Sequence, residues 1–216
     1  MCDRLYVGYL LLYLVACRQV DLCFVVDSSG SINYKDPRNW NITLDFIIEV
    51  VQDFTIGPTG VQVALVQFST TAQVRWNLTR YNNNRPGLIA AIRSLPYLDG
   101  ETNLNYALYL TRTQVFTSGN TRPDARMVTI ILTDGEDNVP HLGTNLTLQN
   151  ATELKRQGVE IMAVGVSRNV SVDRLKQIVT DRDRDYYNVT DFASLRSIVD
   201  RLRPSICYRT FICCIS

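Results

Sequence analysis

The most informative stretch of this chain is Asp21-Leu22-Cys23-Phe24-Val25-Val26-Asp27-Ser28-Ser29-Gly30-Ser31. Leu22 to Val26 is an unbroken apolar run. A strand covered on both faces reads this way, because neither side carries a solvated residue. The run stops at an acid and gives way to small polar residues and a glycine, so the chain leaves the strand into a tight polar loop. The pattern recurs downstream. Val128 to Leu132 is a second apolar run, ending in Thr133-Asp134-Gly135, and Glu160 to Val166 is a third. Asp185 to Val189 is a weaker last strand. Val61 to Phe68 and Ala72 to Leu78 are joined only by Ser69-Thr70-Thr71. That link suits a hairpin and is too short for a crossover, so one of the two is an antiparallel edge strand.

Helical patterns fill the gaps between these runs. Asp36 followed by Pro37 predicts a helix start, and Trp40, Leu44, Ile47, Ile48 and Val51 then fall on one face at 3.6-residue spacing. Further helices are predicted over Pro86 to Leu95, Asn103 to Val115, Leu146 to Gln157, Val172 to Val179 and Phe192 to Leu202. Gly158 and Pro204 are read as stops. Strands alternating with helices predict an α/β fold. It is doubly wound and Rossmann-like, with a mostly parallel six-stranded sheet, one antiparallel edge strand and helices on both faces. The domain is placed at residues 20–203.

The chain has 216 residues, 46% of them hydrophobic and 20% charged, with a net charge of +1. This is a globular composition with room for one such domain. It lacks the basic excess that nucleic-acid binding requires. Before the domain, Arg4 precedes the apolar run Leu5 to Ala16, too short to span a bilayer and suited to a secretory signal over residues 1–17. A buried first strand is the competing reading, and Leu14-Val15-Ala16-Cys17 also matches a bacterial lipobox. No other stretch has the length and hydropathy of a membrane helix. Asn41, Asn77, Asn145, Asn150, Asn169 and Asn188 each open an N-glycosylation sequon, which also points outside the cell. Cys2, Cys17, Cys23, Cys207, Cys213 and Cys214 show no zinc-type spacing. Cys23 reads as a buried thiol in a strand. Cys17 and Cys207 bracket the folded region, and a bridge between them would tie its ends together, as in many secreted domains. The Cys213-Cys214 tail, residues 204–216, reads as truncated.

In open α/β sheets, ligands bind at the carboxyl ends of strands where the winding reverses. Asp27 and Asp134 both end buried strands, so they are expected at one edge. Gly100-Glu101-Thr102-Asn103, a polar loop ahead of a helix, supplies a third element. Asp27, Ser29, Ser31, Thr102 and Asp134 together offer only oxygen, the donor that magnesium and calcium want and that zinc and copper do not. Alternation lets Ser29 and Ser31 point one way while Ser28 points away, with Gly30 bending the backbone between them. Magnesium seldom takes all six ligands from protein, so a vacancy is expected.

The order Asp27-x-Ser29-x-Ser31, then Thr102 in a glycine-containing loop, then Thr133-Asp134-Gly135, resembles the metal-ion-dependent adhesion site of von Willebrand factor A domains. The flanks agree: Asp21 to Asp27 is similar to that family's first strand and Val159 to Val166 to its fifth. The extracellular-matrix members, of the matrilin and non-fibrillar collagen type, are most similar. The resemblance implies that Ser29 and Ser31 bind the metal through their hydroxyls, that Thr102 joins when the site is engaged, and that Asp27 and Asp134 act mainly through water. It implies magnesium, with calcium or manganese as alternatives. The sixth position then takes a glutamate or aspartate from an extracellular partner such as a matrix protein or collagen. Glu101 and Asp137 add negative charge nearby. The implied function is cation-dependent adhesion or matrix assembly, in a secreted protein and not an enzyme. A structural, self-associating matrix component is the alternative. A magnesium-dependent hydrolase is disfavoured, because Ser29 and Ser31 lack a Gly-x-Ser-x-Gly elbow and His141 is the sole histidine. Asp181-Arg182-Asp183-Arg184-Asp185 reads as a solvated turn.

Overall fold

The computed structural model describes residues 19–135, 144–166 and 172–207. At its centre is β1 (Val20–Asp27), buried at all eight positions. β2 (Val61–Phe68), β3 (Ala72–Trp76), β4 (Arg126–Thr133), β5 (Glu160–Val166) and β6 (Tyr186–Val189) complete one sheet in the order β3-β2-β1-β4-β5-β6. β1 runs parallel to β2 from Val20↔Val61 to Asp27↔Phe68, and to β4 from Val20↔Arg126 to Val26↔Leu132. β5 and β6 extend the parallel set, and β3 alone is antiparallel, with a register shift opposite Leu65/Val66. The expected doubly wound sheet is therefore present. The chain builds outward from β1 through β2 and β3, then returns to lay β4 on the other side. Winding reverses between β1 and β4, and a crevice opens at their carboxyl ends. Those ends carry Asp27 and Thr133.

Alternation along β1 sorts its side chains to two cores. Leu22, Phe24 and Val26 pack in one cluster with α2 (Asn39–Val51), α3 (Arg85–Arg93) and α7 (Val199–Cys207). Cys23 and Val25 face the other, with α4 (Leu104–Leu110), α5 (Thr144–Arg156) and α6 (Val172–Ile178). Each fully buried Leu, Ile or Phe contributes about 1.5–3 kcal/mol by leaving water, so the cores on both faces enforce the pairing of β1. Burial pushes the Cys23 thiol up to about 12, so it stays protonated, and Cys23 is the free cysteine among the described residues. No described helix is long and apolar enough to cross a membrane.

Four details depart from the sequence expectation. The first helix of the sequence reading starts at Asn39, not behind Asp36. The Asp36 carboxylate instead accepts from the Arg38 N–H at 2.9 Å, closing a turn ahead of the helix. A short helix, α1 (Gly30–Tyr34), precedes it. The two are locked reciprocally: Trp40 N–H donates to Asn33 Oδ1 at 2.9 Å, and Asn39 Nδ2 donates to the Ile32 carbonyl at 2.8 Å. These bonds do the capping that Asp36 was expected to do. Second, α4 runs into a π-helical turn at Thr111–Val115, with Phe116 N–H bonded to the Thr111 carbonyl at 3.0 Å.

Third, Pro204 lies inside α7 and does not stop it; the preceding Phe192–Ile198 is a 3₁₀ segment. Leu202 and Ile206 are fully buried, and the Arg126 guanidinium donates to the Ser205 and Ile206 carbonyls at 3.0 and 2.6 Å. Tertiary packing and this cap outweigh the one N–H that proline lacks. Fourth, Asp185 of the charged turn is fully buried and accepts from Arg184 Nε at 2.9 Å and from the Asp181 N–H at 3.0 Å.

At the amino ends of the strands, Asp21 is fully buried. Arg122 meets it there, its backbone N–H and Nε each donating to the carboxylate at 2.8 Å. The rest of the guanidinium donates to the Pro58, Gly60 and Val20 carbonyls at 2.7, 3.1 and 2.7 Å.

Candidate metal centre

β1 delivers Asp27 to the crevice with its side chain fully buried. Its carboxylate is held by neutral donors: the Ser29 N–H at 2.9 Å on Oδ1 and the Thr133 hydroxyl at 2.6 Å on Oδ2. The loop then alternates as expected. Ser28 turns away and donates to the Phe68 carbonyl at 3.0 Å, while the Ser29 and Ser31 hydroxyls lie 3.0 Å apart. From the end of β4, Asp134 completes the row, accepting from Ser31 Oγ at 2.7 Å.

Thr102 arrives from the other side. Its loop is held by Glu101 N–H on Thr70 Oγ1 (3.0 Å), Asn103 N–H on the Ser69 carbonyl (2.9 Å) and Asn103 Nδ2 on the Thr70 carbonyl (3.1 Å). Asn103 also caps α4, accepting from the Tyr106 N–H at 3.0 Å, which fixes where the helix begins and so where Thr102 sits. A side chain at Gly100 would have to displace the Thr70 hydroxyl that holds this loop. A Cβ on Gly100 would lie 2.4 Å from Thr70 Oγ1 and 2.6 Å from Ser69 Oγ. Gly135 marks the meeting point: a Cβ there would lie 3.8 Å from Thr102 Oγ1 and 3.9 Å from Ser31 Oγ. Asp27, Ser29, Ser31, Thr102 and Asp134 thus converge on one small space. Its floor is buried and its rim opens at the exposed Ser31. Beside the rim lies a cleft of about 970 Å³, lined in part by Tyr34, Lys35, Ile42 and Phe192.

Electrostatics set this space apart. Burial, together with the charge of Asp134, pushes the Asp27 carboxyl up to about 7 even though Ser29 and Thr133 donate to it. Burial also raises Asp134, against the opposing pull of the Ser31 hydrogen bond and the Lys35 charge. Among the described residues, neither acid has a lysine or arginine within ion-pair distance. Two carboxylates and three hydroxyls, all oxygen and without a cation of their own, fit a hard divalent ion and not a soft one. No group of three or more His, Cys, Asp or Glu side chains forms a rival site among the described residues.

The sequence reading missed three participants. Thr133 was in the quoted Thr133-Asp134-Gly135 but only its neighbour was assigned a role. Tyr97, whose hydroxyl donates to the Ser29 carbonyl at 2.9 Å, gave no signal beyond lying in the loop before Thr102. Gly135 was read only as part of a motif; its place beside the Thr102 and Ser31 hydroxyls shows only in the structure. Glu101 is exposed beside Thr102. Of the sequon asparagines, Asn41, Asn77, Asn145 and Asn188 are exposed, whereas Asn150 donates to Asn105 Oδ1 at 2.8 Å. Asn169, Asp137, His141, Cys2, Cys17, Cys213, Cys214 and the run Leu5 to Ala16 lie outside the described residues.

The model of the von Willebrand factor type A domain family matches residues 21–201. The collagen alpha-1(XII) chain of Notophthalmus viridescens is 34% identical over 88% of this chain and 19% of its own length. Human matrilin-1 is 30% identical over 87% of this chain and 36% of its own. This chain therefore spans between about a fifth and about a third of these relatives. Proximal thread matrix protein 1 of the mussel byssus, solved with zinc in its MIDAS motif, superposes with a TM-score of 0.80 at 28% identity, covering 89% of this chain and 46% of that one.

Proposed function

The chain belongs to the von Willebrand factor type A domain family, and we propose that it is an extracellular module that binds a protein partner through a divalent cation. Ser29, Ser31 and Thr102 hold the ion by their hydroxyls, and Asp27 and Asp134 balance its charge, mainly through water. When bound, the ion supplies a Lewis-acidic position for an aspartate or glutamate of the partner. Magnesium is the first choice, with calcium or manganese as alternatives. Neutral direct ligands leave the ion electrophilic, which is why an outside carboxylate is worth taking. The role is adhesion or matrix assembly and not catalysis: the acids that the Ser29 and Ser31 hydroxyls meet, Asp27 and Asp134, are the ones that balance the ion.

One observation carries this reading. Asp27 is wholly buried, held only by neutral donors, and shares its pocket with a second acid. A protein gains nothing in folding from such an arrangement unless a cation enters it. The matrix setting is supported by the collagen and matrilin relatives. In that setting the apolar run Leu5 to Ala16 belongs to a signal peptide whose removal leaves Cys17 on the mature chain, and exposed sequons carry glycans. Cys207 pairs with Cys17 at the amino end of the domain. That pairing is supported by Arg126, whose guanidinium holds the Ser205 and Ile206 carbonyls while its N–H donates to Gln19 at 2.9 Å, so both ends of the domain meet there.

The test is isothermal titration of magnesium into wild type and Asp134→Ala, followed by a pull-down from matrix extract with magnesium or chelator. Wild type is expected to bind the ion and to capture partners only in its presence, and Asp134→Ala to do neither. Capture that ignores both chelator and the substitution would instead establish a self-associating structural component.

A further inference from the structure

The peptide unit between Ser29 and Gly30 lies between the two serine side chains of the metal centre. Its orientation therefore sets where their hydroxyls point. Both of its polar atoms are held by a single segment, residues 97–100. The Tyr97 hydroxyl donates to the Ser29 carbonyl at 2.9 Å, and the Gly30 N–H donates to the Gly100 carbonyl at 2.8 Å. Asp99 N–H adds a bond to the Ser28 carbonyl at 3.1 Å, with Asp99 itself at φ 52°. A Cβ on Gly30 would come within 3.1 Å of Asp99 Oδ1, so the two loops pass close enough that Asp99 would have to give by a few tenths of an ångström.

Tyr97 is fixed at its other end. Its ring packs at 6.0 Å from that of Trp40, whose Nε1 donates to the Leu95 carbonyl at 3.0 Å. The Asn33 N–H of α1 approaches the same hydroxyl at 3.4 Å, so this oxygen joins the serine loop to the helix that follows it. Two residues past Gly100 comes Thr102. The segment that holds the serine loop thus leads directly into the third hydroxyl of the site.

We infer that Tyr97 is a positioning residue of the metal centre: its hydroxyl locks the Ser29–Gly30 peptide so that Ser29 and Ser31 are held ready for the cation. This rests on the cation-binding reading above. Without the hydroxyl the Ser29 carbonyl keeps only the longer bond from the Ile32 N–H at 3.2 Å, so the peptide is held less firmly at its carbonyl end, and binding the ion must restrict it further. That ordering is subtracted from the affinity.

Tyr97→Phe keeps the ring and its packing and removes this bond, together with the longer contacts of the hydroxyl at 3.4 Å to the Asn33 N–H and Asp99 Oδ1. Loss of a hydrogen bond of ordinary strength predicts magnesium affinity weaker by about five- to tenfold. The melting temperature without metal should shift by no more than a few degrees. Tyr187→Phe is the matched control. It removes one tyrosine hydroxyl bond, to Ser205 Oγ at 2.8 Å, away from the metal centre, so it should shift the metal-free melting temperature by a similar amount and leave magnesium affinity within about twofold. If wild type binds no magnesium, the cation-binding reading itself falls. If wild type binds it and Tyr97→Phe binds equally well, or if Tyr187→Phe weakens binding as much as Tyr97→Phe does, Tyr97 has no positioning role and the inference is overturned.

Discussion

β1 carries two aspartates, one at each end, and the protein treats them oppositely. Asp21 and Asp27 are both fully buried on the same strand. Asp21 meets a guanidinium: Arg122 contacts it through two N–H groups at 2.8 Å and spends its remaining donors on three backbone carbonyls. Asp27 meets only a backbone N–H and the hydroxyls of Ser29 and Thr133, and the charge that acts on it is that of another acid. Burying a charge is tolerable when a partner compensates it. At the Asp21 end the fold supplies that partner. At the Asp27 end it does not, and two further hydroxyls, of Ser31 and Thr102, crowd into the gap. The first end belongs to stability, and the second is the one that the proposed ion would complete.

The same chemical change should therefore have opposite signs at the two ends. Asp21→Asn leaves Arg122 facing a neutral amide in a largely buried place, and should destabilise the fold by about 3–5 kcal/mol. Urea denaturation with an unchanged m-value would measure this. A loss below about 1 kcal/mol would mean that the carbonyl contacts of Arg122 suffice and that the pairing is incidental. Asp27→Asn removes the uncompensated charge instead. A carboxyl raised from 3.8 to about 7 forfeits roughly 4 kcal/mol when ionised, as an upper limit. The amide can be accommodated, because the Thr133 hydroxyl has a second acceptor in the Gly135 carbonyl at 3.1 Å and so can receive a bond from the new Nδ2. Without metal at pH 8, this variant should be more stable than wild type by about 1–3 kcal/mol while losing magnesium binding. A destabilised Asp27→Asn would show that the two ends are alike after all.

How much of this contrast was legible beforehand depends on what a residue's neighbours in sequence disclose. The strands and the convergence of Asp27, Ser29, Ser31, Thr102 and Asp134 were readable, because apolar runs fix strand ends and parallel winding brings those ends together. The difference between Asp21 and Asp27 was not. Both read as acids flanking an apolar run, and Arg122 lies 101 positions from Asp21. Pro204 misled for a related reason: the packing and the Arg126 cap that keep α7 going come from distant segments. Asp185 sat in an alternating charged run, which reads the same whether its last acid is solvated or buried. Asn33 and Asn39 escaped because reciprocal capping across a turn leaves no periodic trace.

Acidity separates the two ends further, with a smaller effect. The folded value for Asp27, about 7, lies above its ordinary 3.8. The metal-free fold therefore favours the protonated acid, and the stability this group contributes is present at low pH and lost as pH rises through about 7. Magnesium needs the anion, so protons compete with it over the same range. Affinity should fall by about tenfold from pH 8 to pH 6, one proton's worth, and more steeply if Asp134, also raised, takes up a second. Thermal melts with and without magnesium, run from pH 6 to pH 8, read both trends at once. The metal-free melting temperature should fall with rising pH while the increment from magnesium grows, and Asp27→Asn should flatten the first trend and abolish the increment. An increment that stays constant across that range would mean that Asp27 is ionised throughout. Its charge would then be answered within the fold, as that of Asp21 is.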